Sequence, residues 1–282
     1  MNADGSVDVG AVKALVDALI AGGADGIFAA GSMGEAASLG FEDRMKVFRA
    51  TVDAVGGRVP VLAGTGFVTT EETVRATKAC EELGVDAVSV ISPFYWKLSQ
   101  EDLFAHYAAV IEGTDLPVFA YNLPNNTGLN LEPETVGRLY RECGLRGAKD
   151  SSAKWENTKG YMDCTGPDFN MLVGSDGLCL EGLKYGARGS ISAPANAYTY
   201  VMKAIYTHFC AGDLFGAQQA QDDWDSITRL LGTTGGFPGN YKLAADRVTA
   251  HVGPPRLPVQ PGDPAKLDAV LEAVEALAAK YR

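Results

Sequence analysis

The chain predicts an α/β fold of the (β/α)8 barrel class that lacks its first strand, and three observations predict it. Short, almost continuously apolar runs alternate with amphipathic helical stretches, as parallel strands covered on both faces require. Glycine-bearing turns recur: Gly23-Ala24-Asp25-Gly26, Gly84-Val85-Asp86-Ala87 and Gly144-Leu145-Arg146-Gly147 follow one another at about 60 residues, roughly two βα units. A fourth, Gly186-Ala187-Arg188-Gly189, repeats the pattern. No Gly-x-Gly-x-x-Gly fingerprint follows a strand, which favours a barrel over a doubly wound sheet.

Each element has its reason. The first is a helix over 9–21, led in by Asn2-Ala3-Asp4-Gly5. Apolar runs predict strands over 26–30, 59–63, 87–91, 117–121, 145–149, 170–173 and 190–192. Helical patterns lie between them over 41–55, 70–83, 103–111 and 133–143. After Asn196 only helices are predicted, over 199–210, 214–231 and 265–281. Five of the 13 prolines fall between Pro254 and Pro264, which reads as an extended strap before a last helix. The barrel is assigned to 1–197, and 198–282 to a helical appendage of the same domain.

Seven strands are one short of a closed barrel. A missing member would leave two unpaired strand edges, so the chain is expected to be a form starting downstream of its natural start. About 15 further upstream residues with an apolar strand should then raise solubility and melting temperature together.

Composition narrows the function. The charge balance is 24 − 35 = −11, so the chain repels phosphate backbones and nucleic acid is not an expected partner. Five scattered cysteines without a C-x-x-C pair argue against disulfides or a zinc knuckle and read as reduced core residues. Three histidines stand apart from other ligand types, so no metal and no cofactor is expected, and His106 reads as structural. No signal peptide and no apolar run of membrane length is seen, which points to a cytoplasmic protein with no membrane partner.

In a barrel the chemistry gathers at the C-terminal ends of strands. Lys149 closes one, where burial would favour a neutral, nucleophilic amine able to form a Schiff base with a carbonyl substrate. Tyr121 ends the strand before it and could move protons beside that nitrogen. The Gly31-Ser32-Met33-Gly34-Glu35 turn can converge backbone N–H groups on a carboxylate, and Ser32 could relay a proton to Tyr121.

Together, Gly31-Ser32-Met33-Gly34-Glu35, Tyr121-Asn122-Leu123-Pro124-Asn125-Asn126-Thr127-Gly128 and Gly147-Ala148-Lys149-Asp150-Ser151-Ser152 resemble the dihydrodipicolinate synthase/N-acetylneuraminate lyase family of class I pyruvate-dependent aldolases and dehydratases. The resemblance spans essentially the whole chain. It implies Lys149 as the Schiff-base lysine and Tyr121 as general acid/base. It implies Ser32 and Met33 as the pyruvate-carboxylate cradle, with the Ser32 hydroxyl in the proton relay. Tyr95 resembles a tyrosine that crosses a dimer interface, Ile191 a pocket-lining position, and Asp176 a retained substrate-binding position. A homotetramer, a dimer of dimers, is implied, and the aromatic run Phe94-Tyr95-Trp96 fits an interface.

Departures from the family pattern bear on substrate. Asn126 stands where dihydrodipicolinate synthases usually carry arginine. Gly177 and Ala193 replace a glutamate and a serine of sialic acid lyases. The expected partners are therefore small 2-oxo acids and aldehydes, with 2-keto-3-deoxy sugar acids as the leading substrate class. A 4-hydroxy-tetrahydrodipicolinate synthase of lysine biosynthesis, or a non-catalytic barrel that binds a 2-oxo acid, are the alternatives.

Overall fold

A computed structural model describes residues 1–282. Residues 1–60 form helix α1 (Val9–Ala21), strand β1 (Ile27–Ala29) and helix α2 (Phe41–Val55). The next stretch runs β2 (Val61–Gly64), α3 (Thr70–Leu83), β3 (Ala87–Ile91), α4 (Gln100–Glu112) and β4 (Val118–Asn122). It continues through α5 (Pro124–Thr127), α6 (Pro133–Arg138), β5 (Gly147–Asp150), α7 (Trp155–Asp163), β6 (Asn170–Val173), α8 (Cys179–Tyr185) and β7 (Gly189–Ser190). Four helices finish the chain: α9 (Ala195–Cys210), α10 (Leu214–Gly232), α11 (Gly239–Val248) and α12 (Pro264–Ala278).

These elements group into two bodies, 61–191 and 1–60 together with 192–282. In the first, β2 to β7 form parallel ladders in chain order, with Ala63 opposite Val88, Val88 opposite Val118, and Tyr121 opposite Lys149. Lys149 in turn lies opposite Leu172, and Leu172 opposite Gly189. The alternate strand residues Val88, Val90, Val118, Ala120, Ala148, Met171 and Val173 are buried under the crossover helices. That is why these strands read as continuous apolar runs. Caps fix where the helices start and stop. Ser99 and Asp102 form a reciprocal capping box at the start of α4, and Gly84 ends α3 at φ 74, a left-handed cap that glycine adopts without strain.

In the second body α9 packs on α10 and α11, α10 packs on α12, and α1 packs on α2. Trp224, Ile205 and Phe48 are fully buried there. No strand precedes α1, and the strand count is seven, as the sequence predicts. No helix is long and apolar enough to cross a membrane.

Several boundaries depart from expectation. Helix α11 is not predicted by periodicity, because it begins at Gly239 just after Thr233-Thr234-Gly235-Gly236-Phe237-Pro238, which reads as loop. The helical pattern over 133–143 divides into α6 and a wider π turn at Leu139–Cys143. Of the five cysteines, all free, only Cys80 and Cys179 are buried and Cys210 is exposed, so they are not all core residues.

Candidate active site

Strand β5 reads Gly147-Ala148-Lys149-Asp150, and the twofold alternation of a strand sends Lys149 and Asp150 to opposite faces. On one face Lys149 has Tyr121 of β4 as its cross-strand neighbour. The Lys149 Nζ lies 4.2 Å from the centroid of the Tyr121 ring, well inside the ~6 Å range of cation–π attraction. Both residues are buried, Lys149 at 7% and Tyr121 at 4% exposure. Two glycines keep this corner open. A Cβ on Gly174, just after β6, would sit 2.8 Å from Lys149 Cε, so only glycine leaves room for the lysine stem. A Cβ on Gly147 would meet Phe119 Cε1 at 2.3 Å.

Behind that pair, Asp150 is wholly buried and accepts five hydrogen bonds. Its Oδ1 takes Asn122 Nδ2 at 2.8 Å, Asn157 Nδ2 at 3.2 Å and the Ser152 N–H at 3.2 Å. Its Oδ2 takes the Ser152 hydroxyl at 2.8 Å and the Thr158 hydroxyl at 2.6 Å. Asn122 completes the cage by donating to Asn130 Oδ1 at 3.0 Å and accepting the Leu131 N–H at 3.0 Å. One strand higher, the Tyr107 hydroxyl donates to Val90 O at 3.0 Å beside Ser92 Oγ at 3.1 Å, tying α4 to the end of β3. Burial pushes the Tyr107 and Tyr161 phenols up, so both stay neutral struts.

The other body holds the Gly31–Glu35 turn after β1. Two non-glycine residues in the left-handed region bracket it, Ala30 at φ 49 and Glu35 at φ 59. Such backbone persists only where surroundings over-determine it. Here the buried Glu35 carboxylate accepts from Lys242 Nζ of α11 and, at 2.6 Å, from the Arg256 N–H of the proline strap. Lys242 also donates to Pro254 O at 2.9 Å. Arg44 grips the following turn by donating to Ala36 O at 2.8 Å. Arg256 donates to Ser38 O at 2.8 Å and to Asp43 at 3.0 Å.

The expected site residues therefore fall in four settings. Lys149 and Tyr121 are brought together as a buried pair. Ser32 and Met33 sit, half-buried, in the anchored turn. Asp176 opens the helical turn after β6, and Ile191 follows β7 with its N–H donating to Val173 O at 2.9 Å. Tyr95 is set apart from the buried pair: it is 84% exposed, at φ 83, stacked edge-on against the exposed Trp96 at 5.2 Å. No group of three or more His, Cys, Asp or Glu is placed to hold a metal ion.

Two features escaped the sequence reading. The Asp150 cage could have been suspected from an acid directly following a strand-end lysine in an apolar run. The Glu35–Lys242 pair spans more than 200 residues and leaves no local signal.

Comparison with known proteins shows the family. Residues 1–277 match the model of the dihydrodipicolinate synthetase family. A 4-hydroxy-tetrahydrodipicolinate synthase of Anaeromyxobacter dehalogenans is 36% identical over 272 residues, 96% of this chain and 92% of that protein. The same-named protein of Listeria monocytogenes is 36% identical over 265 residues, 92% of this chain and 90% of the other. Among solved structures, dihydrodipicolinate synthase DapA-2 of Bacillus anthracis superposes with a TM-score of 0.92 at 31% identity, covering 98% of this chain and 94% of that one. YagE, a prophage protein of the same family from E. coli K12 in complex with pyruvate, gives 0.92 at 30% identity, covering 100% and 96%.

Proposed function

The chain belongs to the dihydrodipicolinate synthetase family, and from that premise we propose that it is a pyruvate-dependent lyase working through an imine on Lys149, with 4-hydroxy-tetrahydrodipicolinate synthase as its activity. The observation that carries this is the buried Lys149 amine set against the Tyr121 ring on adjacent strand ends. The relatives' names supply the overall reaction.

The chemistry follows from these groups. The Lys149 amine, in the free-base form that nucleophilic attack requires, adds to the ketone carbon of pyruvate, and its proton passes to the oxygen through Tyr121. The resulting hydroxyl takes a second proton and leaves as water, while the nitrogen lone pair closes a C=N⁺ bond. That cation draws electrons from the methyl carbon, which loses a proton to become a nucleophilic enamine. The enamine attacks an aldehyde carbon, forming the new carbon–carbon bond and restoring C=N⁺, while the aldehyde oxygen takes up a proton equal to the one the methyl carbon lost. Water then adds to C=N⁺ and releases the product ketone from Lys149. Ser32 and Met33 are assigned to the pyruvate carboxylate, the Ser32 hydroxyl to the relay, and Ile191 and Asp176 to the pocket.

A second reading is favoured by one observation. Asn126, exposed in α5, cannot offer the bidentate cationic grip that an arginine gives a carboxylated aldehyde. Cleavage of 2-keto-3-deoxy sugar acids would need no such grip. The deciding assay compares product formation from pyruvate plus an amino-acid semialdehyde with pyruvate release from 2-keto-3-deoxy acids. Faster turnover in the first arm supports the synthase; turnover only in the second replaces it.

Tyr95 and Trp96, 84% and 60% exposed, support a homo-oligomer in which Tyr95 serves a neighbouring subunit. A fully active monomer in light scattering would end that assignment. A cytoplasmic location is proposed with it.

A further inference from the structure

The cage around Asp150 poses a physical question: why a buried acid stands there at all. All five groups bonded to it are neutral. Burying a charge without a cation is costly, and a neutral residue of the same shape could satisfy this pocket at less expense in desolvation. What distinguishes the position is its neighbour. Asp150 follows Lys149 directly, and the Asn122–Asp150 side-chain bond lies behind the Tyr121–Lys149 pair, since these residues are partners in the same ladder.

We propose that Asp150 is the counter-charge of the iminium formed on Lys149, a positioning residue that touches neither substrate nor Nζ. The inference rests on the imine reading above. When the carbinolamine expels water, the nitrogen lone pair enters the C=N bond and one positive charge appears on a buried nitrogen. A fixed anion on the adjacent residue, in a low-dielectric strand end, lowers the energy of that cation relative to the neutral carbinolamine. The five donors hold the anion still, so no reorganisation is needed as the charge develops.

The geometry supplies a clean test. In Asp150→Asn the amide oxygen can replace Oδ1, keeping Asn122, Asn157 and the Ser152 N–H as donors. The amide NH₂ then faces the Ser152 and Thr158 hydroxyls, both of which can rotate to accept. The shape and all five bonds survive while the charge is lost. Thr158→Val does the reverse, removing one bond and keeping the charge. With pyruvate and borohydride in a single turnover, D150N should trap the adduct on Lys149 about ten-fold or more slowly. Its kcat should fall alongside, with KM for pyruvate nearly unchanged. T158V should keep turnover within about two-fold of the parent while melting earlier. Parent-like trapping by D150N overturns the proposal. So does a loss in T158V equal to that in D150N, which would assign the effect to the hold rather than the charge. If D150N does not fold, T158V decides alone: trapping within about two-fold of the parent supports the proposal, and a fall of about ten-fold or more overturns it. Failure of the unsubstituted enzyme to trap at all would instead refute the imine reading.

Discussion

The Lys149–Tyr121 pair and the Gly31–Glu35 turn are built by opposite means. Lys149 and Tyr121 owe their proximity to strand register: adjacent parallel strands, same face, one ladder position. The Gly31–Glu35 turn owes its shape to groups from far along the chain, the Lys242 amine and the Arg256 backbone N–H, acting on one buried carboxylate. Backbone ladders position a pair of residues cheaply and rigidly, because each bond is shared by the whole sheet. A turn with two strained non-glycine residues has no such support and depends on a few charged contacts. The lesson is that substitutions in the two regions should fail differently, one in chemistry and the other in stability and binding.

Removing the amine proposed as nucleophile is the severest way to test the first region. Lys149→Ala should lower turnover by roughly three orders of magnitude or more and abolish the borohydride adduct, with the fold kept. Tyr121→Phe comes next. It keeps the ring beside Lys149 and loses only the proton-transfer group, so kcat should drop about 10²- to 10⁴-fold while slow adduct formation persists. A pre-steady-state burst unchanged from the parent would remove Tyr121 from its assigned role.

For the second region the expected signature is thermodynamic. Lys242→Met leaves Glu35 buried without its cation and should cost about 3–5 kcal/mol in denaturant unfolding. Pyruvate KM should rise as the turn loosens, with the maximal trapping rate little changed. Adding Glu35→Gln to that variant should recover much of the stability. If the double variant is as unstable as the single one, the ion pair is not what holds the turn.

A smaller effect lies outside both regions, on α4. His106 is buried with Nδ1 2.9 Å from the Thr70 hydroxyl and Nε2 unpartnered, and burial lowers its pKa from 6.5 to about 4. The unfolded chain therefore binds this proton first as pH falls. The stability from neutral His106 is whole above pH 6.5 and drains away between there and about pH 4, by an amount on the order of 3 kcal/mol. His106→Gln should flatten that part of the stability–pH curve, as unfolding at a series of pH values would reveal.

The same contrast explains what was legible in the sequence. Register follows from apolar runs and turns, so the strand-end positions of Lys149 and Tyr121 could be read directly, and strand 87–91 lands on its predicted bounds. Helix α11 could not, since its start is masked by glycine and proline and its burial comes from tertiary packing. With α11 hidden, Lys242 and its bond to Glu35 were invisible too. Asp150 was in plain view within the lysine motif, but its donors are scattered from Asn122 to Thr158 and converge only in three dimensions. Substrate choice was the least legible. The motifs pointed to sugar acids through Asn126, whereas the whole-chain likeness to 4-hydroxy-tetrahydrodipicolinate synthases favours the alternative reading.

The central claim is the imine on Lys149, and one measurement addresses it most directly. The intact enzyme is incubated with pyruvate, reduced with borohydride, digested and mapped by mass spectrometry. The account predicts a single pyruvate-derived adduct on the peptide containing Lys149, absent without pyruvate and absent in Lys149→Ala. An unmodified Lys149 peptide, or an adduct on another lysine, would contradict it.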